Sequence, residues 1–243
     1  MILKLLKDRY STEQAKEIQL SYLSKIQKEA PSKLTFPDLN KISHVVGVDI
    51  SYYYEENQEF GIACATLMNF KELNLIETHF AKGKINFPYV AGFLGFRECK
   101  LLAKALSKIQ QKYQIVMCDG HGKIHPRRFG EAVQLGLALD IPTIGVAKSP
   151  YVGYSDWKTL KRKKGNKTPV WNNEPEHKLK QEQELLGYAI CLRDGSKPVF
   201  VSEGYKADIE LALEIVIKIS VKNHRLPEPL YLADRFSKEE IKT

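Results

Sequence analysis

Val45-Val46-Gly47-Val48-Asp49-Ile50-Ser51-Tyr52 is an apolar, β-branched run interrupted by one acid, and Ile115-Val116-Met117-Cys118-Asp119 is its counterpart further along the chain. Both read as buried strands that meet an acid where the apolar run stops. A carboxylate at such a point projects from the edge of a sheet. Two of them side by side can hold a hard divalent cation through oxygen ligands. Glu98 lies between the two runs, where a helix-like stretch opens.

The segments around these runs set the fold class. Residues 45–53, 60–69 and 73–80 are rich in β-branched and aromatic residues and are separated by polar turns, which predicts a β-meander. Pro88 breaks the chain before a predicted helix over 92–113. Then come a strand over 115–118, a loop, a helix over 129–139 and, after Pro142, a strand over 143–147. This β-α-β-α-β rhythm calls for parallel strands with crossover helices. Antiparallel strands first and parallel ones after make a mixed α/β sheet flanked by helices. Residues 185–192 and 199–202 supply two more strands, and 207–221 and 229–240 two more helices. At the front, Ser11 and Gln14 resemble a capping box, and the apolar spacing behind them predicts a helix over 12–28. Pro31 and Pro37 mark a linker after it.

At 243 residues and 43% apolar content, the chain reads as one domain with a real core. Lysine and arginine total 37 against 29 acids, a surplus of +8. That charge points to an anionic partner, most simply nucleic acid, although a solubilising surface gives the same sum. Cys64, Cys99, Cys118 and Cys191 are far apart and form no C-x-x-C pair. They read as buried reduced thiols rather than a zinc site. No signal peptide or membrane span is evident, so the expectation is a soluble cytoplasmic protein, or a nuclear one in a eukaryote. A basic surface insertion is expected at about 151–183. Its Lys158, Lys161, Arg162, Lys163, Lys164 and Lys167 come with no acid between them. A mobile loop that tracks phosphate, a targeting signal and a simply solvated loop all fit that stretch.

Two segments carry chemistry beside the run that holds Asp49. Asp119-Gly120-His121-Gly122-Lys123-Ile124-His125-Pro126-Arg127-Arg128-Phe129-Gly130 is the densest. Its glycines permit close backbone approach, its main-chain N–H groups can bind a base edge or a phosphate, and Arg127 and Arg128 stand near a helix N-terminus. In Pro88-Tyr89-Val90-Ala91-Gly92-Phe93-Leu94-Gly95-Phe96-Arg97-Glu98, a stiffened loop carries Tyr89 at its tip, where an aromatic can wedge into a base stack. A loop aromatic that merely packs is the plainer alternative. Lys148 follows the strand over 143–147 and could reach the same sheet edge. Asp49 and Asp119 taken singly could cap turns. Taken together they would repel unless a cation such as Mg²⁺ lay between them.

These segments resemble the endonuclease V family. Val46 to Tyr52, Pro88 to Glu98 and Asp119 to Gly130 carry the likeness, with Pro142-Thr143-Ile144-Gly145-Val146-Ala147-Lys148-Ser149 and Arg225-Leu226-Pro227-Glu228-Pro229. The resemblance implies a ribonuclease H-like fold and Mg²⁺-dependent cleavage, with Mn²⁺ as a substitute. The target would be the second phosphodiester 3′ to inosine in DNA, RNA or both, leaving a 3′-hydroxyl and a 5′-phosphate. It implies Asp49 and Asp119 as metal ligands, with Glu98 supporting the metal directly or through water. Asp234 falls where the family has a fourth metal-proximal group. Tyr89 would be the wedge, flanked by Pro88, Leu94 and Arg97. Gly120 and Gly122 would line the base pocket, Arg127, Arg128 and Gly130 would contact substrate, and His125 and Lys148 would assist near the base and the cut phosphate. No obligate protein partner is implied. Tyr231, and Glu203 and Tyr205 in Ser202-Glu203-Gly204-Tyr205, depart from the family pattern. A resolvase-like nuclease of the same fold, or an inosine-RNA binder that cuts slowly, are the alternatives.

Overall fold

The computed structural model describes residues 1–28, 38–174, 183–221 and 223–243. The expected linker at Pro31 and Pro37 lies outside them, as does the part of the insertion around Pro175. Helix α1 (Thr12–Lys28) leads to a hairpin of β1 (His44–Glu55) and β2 (Gln58–Asn69), and then to β3 (Leu75–Lys84). Next come α2 (Leu94–Leu106), β4 (Ile115–Cys118), α3 (Glu131–Leu139) and β5 (Thr143–Ala147). Strands β6 (Lys167–Trp171), β7 (Leu185–Ile190) and β8 (Val199–Glu203) precede α4 (Ile209–Ile219) and α5 (Glu228–Glu240). Among the described residues, no helix is long and apolar enough to cross a membrane.

The strands form one 8-stranded sheet in the order β3-β2-β1-β4-β5-β8-β7-β6. β1, β4 and β5 run parallel; the remaining neighbours are antiparallel. This is the expected mixed sheet, a ribonuclease H-like arrangement. Its two faces bury different layers, because side chains alternate along a strand. Val45, Met117, Ile144 and Val201 pack with Leu213 and Val216 of α4 and Leu230 of α5. Val46, Val48 and Val116 pack on the other face with Leu102 of α2 and Leu135 of α3. Beyond that layer, Ile18 of α1 packs with Phe96 of α2 and Val133 of α3.

Several boundaries differ from the sequence reading. α2 stops at Leu106 rather than 113, because the Glu77 carboxylate captures the N–H groups of Gln110 and Gln111 at 3.0 Å each. β3 begins at Leu75: Leu73 sits at φ 59° in a turn that the Asn69 side chain organises. β6 was not expected at all. It contains Pro169, which reads as a breaker, yet β6 closes the sheet as an edge strand, where a missing N–H is tolerated. The segment 158–167, expected as a mobile loop, is tied down. Gly165 N–H reaches the Cys191 carbonyl at 2.8 Å, Gly195 N–H reaches Arg162 at 2.8 Å and Cys191 N–H reaches Asn166 at 2.9 Å. The four cysteines are buried and free.

Candidate active site

Asp49, expected at a strand end, is internal to β1 and paired with Cys64, because the β1–β2 hairpin runs on to Glu55; Asp119 lies level with it, just past the end of β4. Val48 stands opposite Cys118 in the parallel β1–β4 ladder, and the Asp119 N–H extends that ladder to the Val48 carbonyl at 3.2 Å. On β1, Gly47 lies against Pro229 of α5, and the Ser51 hydroxyl meets Ser237 of α5 at 2.7 Å. Asp49 shares their parity and therefore faces α5 too. That helix brings Asp234. One carboxylate oxygen from each of Asp49, Asp119 and Asp234 lies within 4.8 Å of the others. Glycine at 47 makes the approach possible: a Cβ there would stand 2.4 Å from the Pro229 carbonyl carbon. The Thr66 hydroxyl fixes the same residue by donating to its carbonyl at 2.8 Å.

Carboxylates this close repel. Burial, then Asp119, pushes the Asp49 carboxyl well above the usual range. Burial also raises Asp119, against the pull of Lys148. Burial acts the same way on Asp234, but Lys238 and Lys148 overcome it and hold that group low. Lys148 places Nζ 2.5 Å from Asp119 and 3.1 Å from Asp234, and Lys238 reaches Asp234 at 2.5 Å. Burial would lower Lys148; Asp119, Asp49 and Asp234 instead hold it above its usual range. Three convergent carboxylate oxygens, two of them on groups that burial and neighbouring acids keep from ionising freely, are a donor set that fits a hard divalent cation.

Glu98 comes in from the opposite side of the sheet, on α2. It is buried and accepts a hydrogen bond from the Tyr52 hydroxyl. Its other neighbour is Glu131, the first residue of α3. Burial raises Glu98 to about 7, against the hydrogen bonds from Tyr52 and Glu131. Burial, then Glu98, lifts Glu131 well above the carboxylate range. Glu98 stands outside the group of three but adds its charge to Asp49. Sequence reading missed Glu131. An acid in the first turn of a helix ordinarily reads as a solvated dipole partner.

A cavity of about 170 Å³ opens between the 88–95 and 119–131 segments, and Glu131 is part of its wall. Leu94, His125 and Gly130, singled out in the sequence, line it together with Gln19, His121 and Tyr151. Tyr89 stands at the mouth with 77% of its surface exposed, next to exposed Pro88. The loop behind Tyr89 is clamped at Gly92 (φ 85°). Its carbonyl accepts from Gln19 Nε2 at 3.0 Å, His125 Nε2 at 3.0 Å and Arg127 Nη2 at 2.8 Å. Gln19 Nε2 also donates to Phe129 at 3.3 Å, and Gln19 Oε1 accepts from Arg127 Nε at 2.5 Å. A carbonyl can only accept, so His125 Nε2 carries the proton. Its Nδ1 accepts from the N–H groups of Arg127 and Phe129 at 3.2 and 3.3 Å. Burial lowers His125 to about 4, so the ring is neutral.

The other singled-out residues have internal partners. Arg97 is buried; its guanidinium donates to the Phe87 carbonyl at 2.8 Å, pairs with Glu59 and stacks on Tyr52. Arg127 belongs to the Gly92 clamp and lies over the Phe93 ring. Arg128 (φ 51°) pairs with Glu184 at 2.8 Å and donates to the His125 carbonyl at 2.8 Å. Gly120 and Gly122 are buried behind the cavity wall. A Cβ on Gly120 would strike Glu131, and the Gly122 N–H donates to Ser202 at 2.9 Å. Glu203 pairs with Lys123, Tyr205 bonds to Asp140 at 3.2 Å, and Tyr231 stacks on His224, so all three departures have structural partners.

A family profile described as endonuclease V matches residues 24–235. The chain is 36% identical over 218 residues to endonuclease V of Dictyoglomus turgidum, covering 89% of each protein. It is 38% identical over 196 residues to that of Nostoc punctiforme, covering 81% of this chain and 82% of the relative. The fold superposes on the crystal structure of endonuclease V from Bacillus subtilis with a TM-score of 0.83 at 26% identity, spanning 97% of this chain and 94% of the other. It also superposes on Ciona intestinalis endonuclease V in complex with a 23mer DNA containing an inosine followed by a ribo-adenosine. There the TM-score is 0.74 at 29% identity, over 92% of this chain and 97% of the other. Likeness of this extent, in sequence and in fold, makes the chain a member of the endonuclease V family, and thus an endonuclease.

Proposed function

We propose that the protein hydrolyses strands containing inosine at the second phosphodiester 3′ to the lesion, with Mg²⁺, leaving a 3′-hydroxyl and a 5′-phosphate. Mn²⁺ would substitute. One observation carries the reading: carboxylates from β1, the end of β4 and α5 converge, and the loop that follows Asp119 lines a cavity whose mouth is occupied by an exposed tyrosine. The Ciona relative's complex with inosine-containing DNA supports it.

Asp49, Asp119 and Asp234 would hold the ion, with Glu98 supporting it from the α2 side, directly or through water. When bound, the ion neutralises charge developing on the phosphate and lowers the pKa of the attacking water. Lys148 offers its ammonium to the phosphate beside these acids. Tyr89 enters the stack as the base leaves it, and a weakly paired hypoxanthine costs least to extrude. Polar backbone edges of the two loops distinguish the O6 acceptor and N1–H donor of hypoxanthine from adenine, which has the reverse pattern. Close walls exclude the 2-amino group of guanine. The neutral His125 holds the loop behind Tyr89 rather than moving a proton at the phosphate.

The test is an inosine-bearing oligonucleotide, in DNA and in RNA, incubated with Mg²⁺ and then with EDTA. Cleavage should appear at one position, require the metal and be absent from the adenosine control. Asp49→Asn should bind the strand and not cut it. Equal cutting of the control, or cutting governed by branched structure alone, would favour a resolvase-like nuclease.

A further inference from the structure

We propose that the basic segment after β5 is an extended docking ridge for the nucleic-acid strand, running away from the cleavage site along the same edge of the sheet. The proposal rests on the nuclease reading above. The segment starts at the cavity, where Tyr151 forms part of the wall. Val152 and Trp157 then cross the sheet face over Ile124, Ala147 and Phe200, with the Trp157 and Phe200 rings 5.6 Å apart. Residues 161–166 finally lie along the β7–β8 turn, held by the backbone bonds of Gly165, Cys191 and Gly195, and by the Lys164 N–H on Asp194 at 2.6 Å.

Topology puts that turn at the catalytic edge. β8 is antiparallel to β5, with Phe200 opposite Ala147, so the start of β8 lies level with the end of β5. Lys148 follows directly and carries its ammonium to Asp119. Arg225 makes the connection physical: its guanidinium donates to the carbonyls of Lys148, of Pro198 at 3.0 Å and of Lys197 at 3.2 Å. An unbroken series of hydrogen-bonded segments therefore runs from the carboxylate cluster to the basic segment.

Positive charge is in excess there. Lys158, Lys161, Lys163, Arg193 and Lys197 are exposed, and among the described residues none of them has an ion-pair partner. The two nearby acids are engaged locally: Asp194 holds the Lys164 N–H, and Asp156 accepts from Tyr154 at 3.2 Å and caps Thr159 through its carbonyl. Arg162 and Lys164, by contrast, brace the segment by donating to the carbonyls of Trp157 and Ser220. So the rigid members position the free ones. Exposed, unpaired ammonium groups on a fixed backbone at a nuclease's catalytic edge suit a phosphodiester chain, whose binding releases counterions.

The test uses full-length protein and the variant Lys158→Gln/Lys161→Gln/Lys163→Gln, whose three side chains are exposed and unpaired, so folding should be unaffected. Binding is measured in EDTA over a salt series. The probes are single strands with inosine near the middle, one short and two extended on either flank. Wild type should gain affinity from an extension on one flank. The variant should lose that gain, on the order of tenfold at moderate salt, and its salt slope should fall by about 2, at roughly 0.7 per phosphate contact. Cutting of the saturating short strand with Mg²⁺ serves as the control and should match. Equal extension gain and equal slope in both proteins would overturn the ridge. Failure of wild type to cut the short strand would instead strike the nuclease reading, while the salt slopes still decide the ridge.

Discussion

Replacing Gln19 by alanine tests how the tyrosine loop is held. Gln19 is 1% exposed and bonds three groups: the Gly92 and Phe129 carbonyls and the Arg127 guanidinium. Gly92 keeps its bonds from His125 and Arg127 in the variant. The lost hydrogen bond to a charged group costs about 1.5–3 kcal/mol, and a bared buried carbonyl at Phe129 about 1–3 kcal/mol more. A loss of about 3–5 kcal/mol is expected, which for a chain of this size lowers Tm by roughly 10 °C. The functional effect should be selective. A loosened clamp lets the Tyr89 loop wander, which matters when a base must be drawn from a duplex and matters little when the strand is already single. Single-turnover cutting of duplex inosine should therefore fall about tenfold further than cutting of single-stranded inosine, a difference of about 1.4 kcal/mol in barrier. Gln19→Glu separates the contributions, because it keeps the Arg127 pair and removes the amide donors; it should lie between wild type and alanine. A melt within about 1 kcal/mol of wild type, or equal rate losses on both substrates, would refute the clamp.

Further outcomes follow from the same geometry. Metal-free Asp49→Asn should melt higher than metal-free wild type, since burial and Asp119 disfavour the charge it removes; wild type should gain about 2.7 kcal/mol from Mg²⁺ at a hundred times its Kd, and the variant little, as read by calorimetry. Tyr89→Ala, at a side chain 77% exposed, should change stability by less than about 0.5 kcal/mol yet erode the preference for inosine over adenosine in duplex, compared by kcat/KM on the two. His125 has a folded pKa of about 4, below its unfolded value, so it is neutral in the fold, and its contribution is complete above about pH 6.5 and fades as pH falls towards 4, by at most ~3 kcal/mol. The raised carboxyls of Asp49 and Glu131 act in the opposite direction, so the readout is the difference between urea melts of wild type and His125→Gln at pH 4.5 and 7: no pH dependence in that difference would contradict the buried neutral ring.

What could be read from the sequence depended on whether a residue's partner was local. The two apolar runs that meet Asp49 and Asp119 declared buried strands of a mixed sheet, and the parallel β1–β4 pairing that aligns the acids came from the structure. Asp234 was visible as a polar residue on a helix; only the packing of Pro229 on Gly47 shows why it meets the strand acids. Gln19 lies 73 residues from Gly92 and 110 from Phe129, separations no helical spacing announces. Arg97 and Arg127 were legible as cations but not as internal braces, because a guanidinium that binds a carbonyl and one that binds phosphate look alike in sequence. β6 was hidden by Pro169, and the end of α2 by a carboxylate on another strand, Glu77.

The placement of these groups separates chemistry from recognition. The carboxylates sit on the α5 face, Asp49 in the middle of β1 and Asp119 just past the end of β4, whereas the cavity and its tyrosine belong to the α1, α2 and α3 layer. One covalent segment joins them: it begins at Asp119 and ends against α3 at Gly130 and Glu131. That segment is internally fixed, with Gly130 N–H on the Gly122 carbonyl at 3.2 Å, Ala132 N–H on His121 at 3.1 Å and Arg128 N–H on His125 at 2.9 Å. Its two ends are therefore held at a constant offset, so on the function proposed above a base seated in the cavity would set which phosphate reaches the acids. Cleavage at one position relative to the lesion would then need no closing domain; a rigid loop would serve as the ruler.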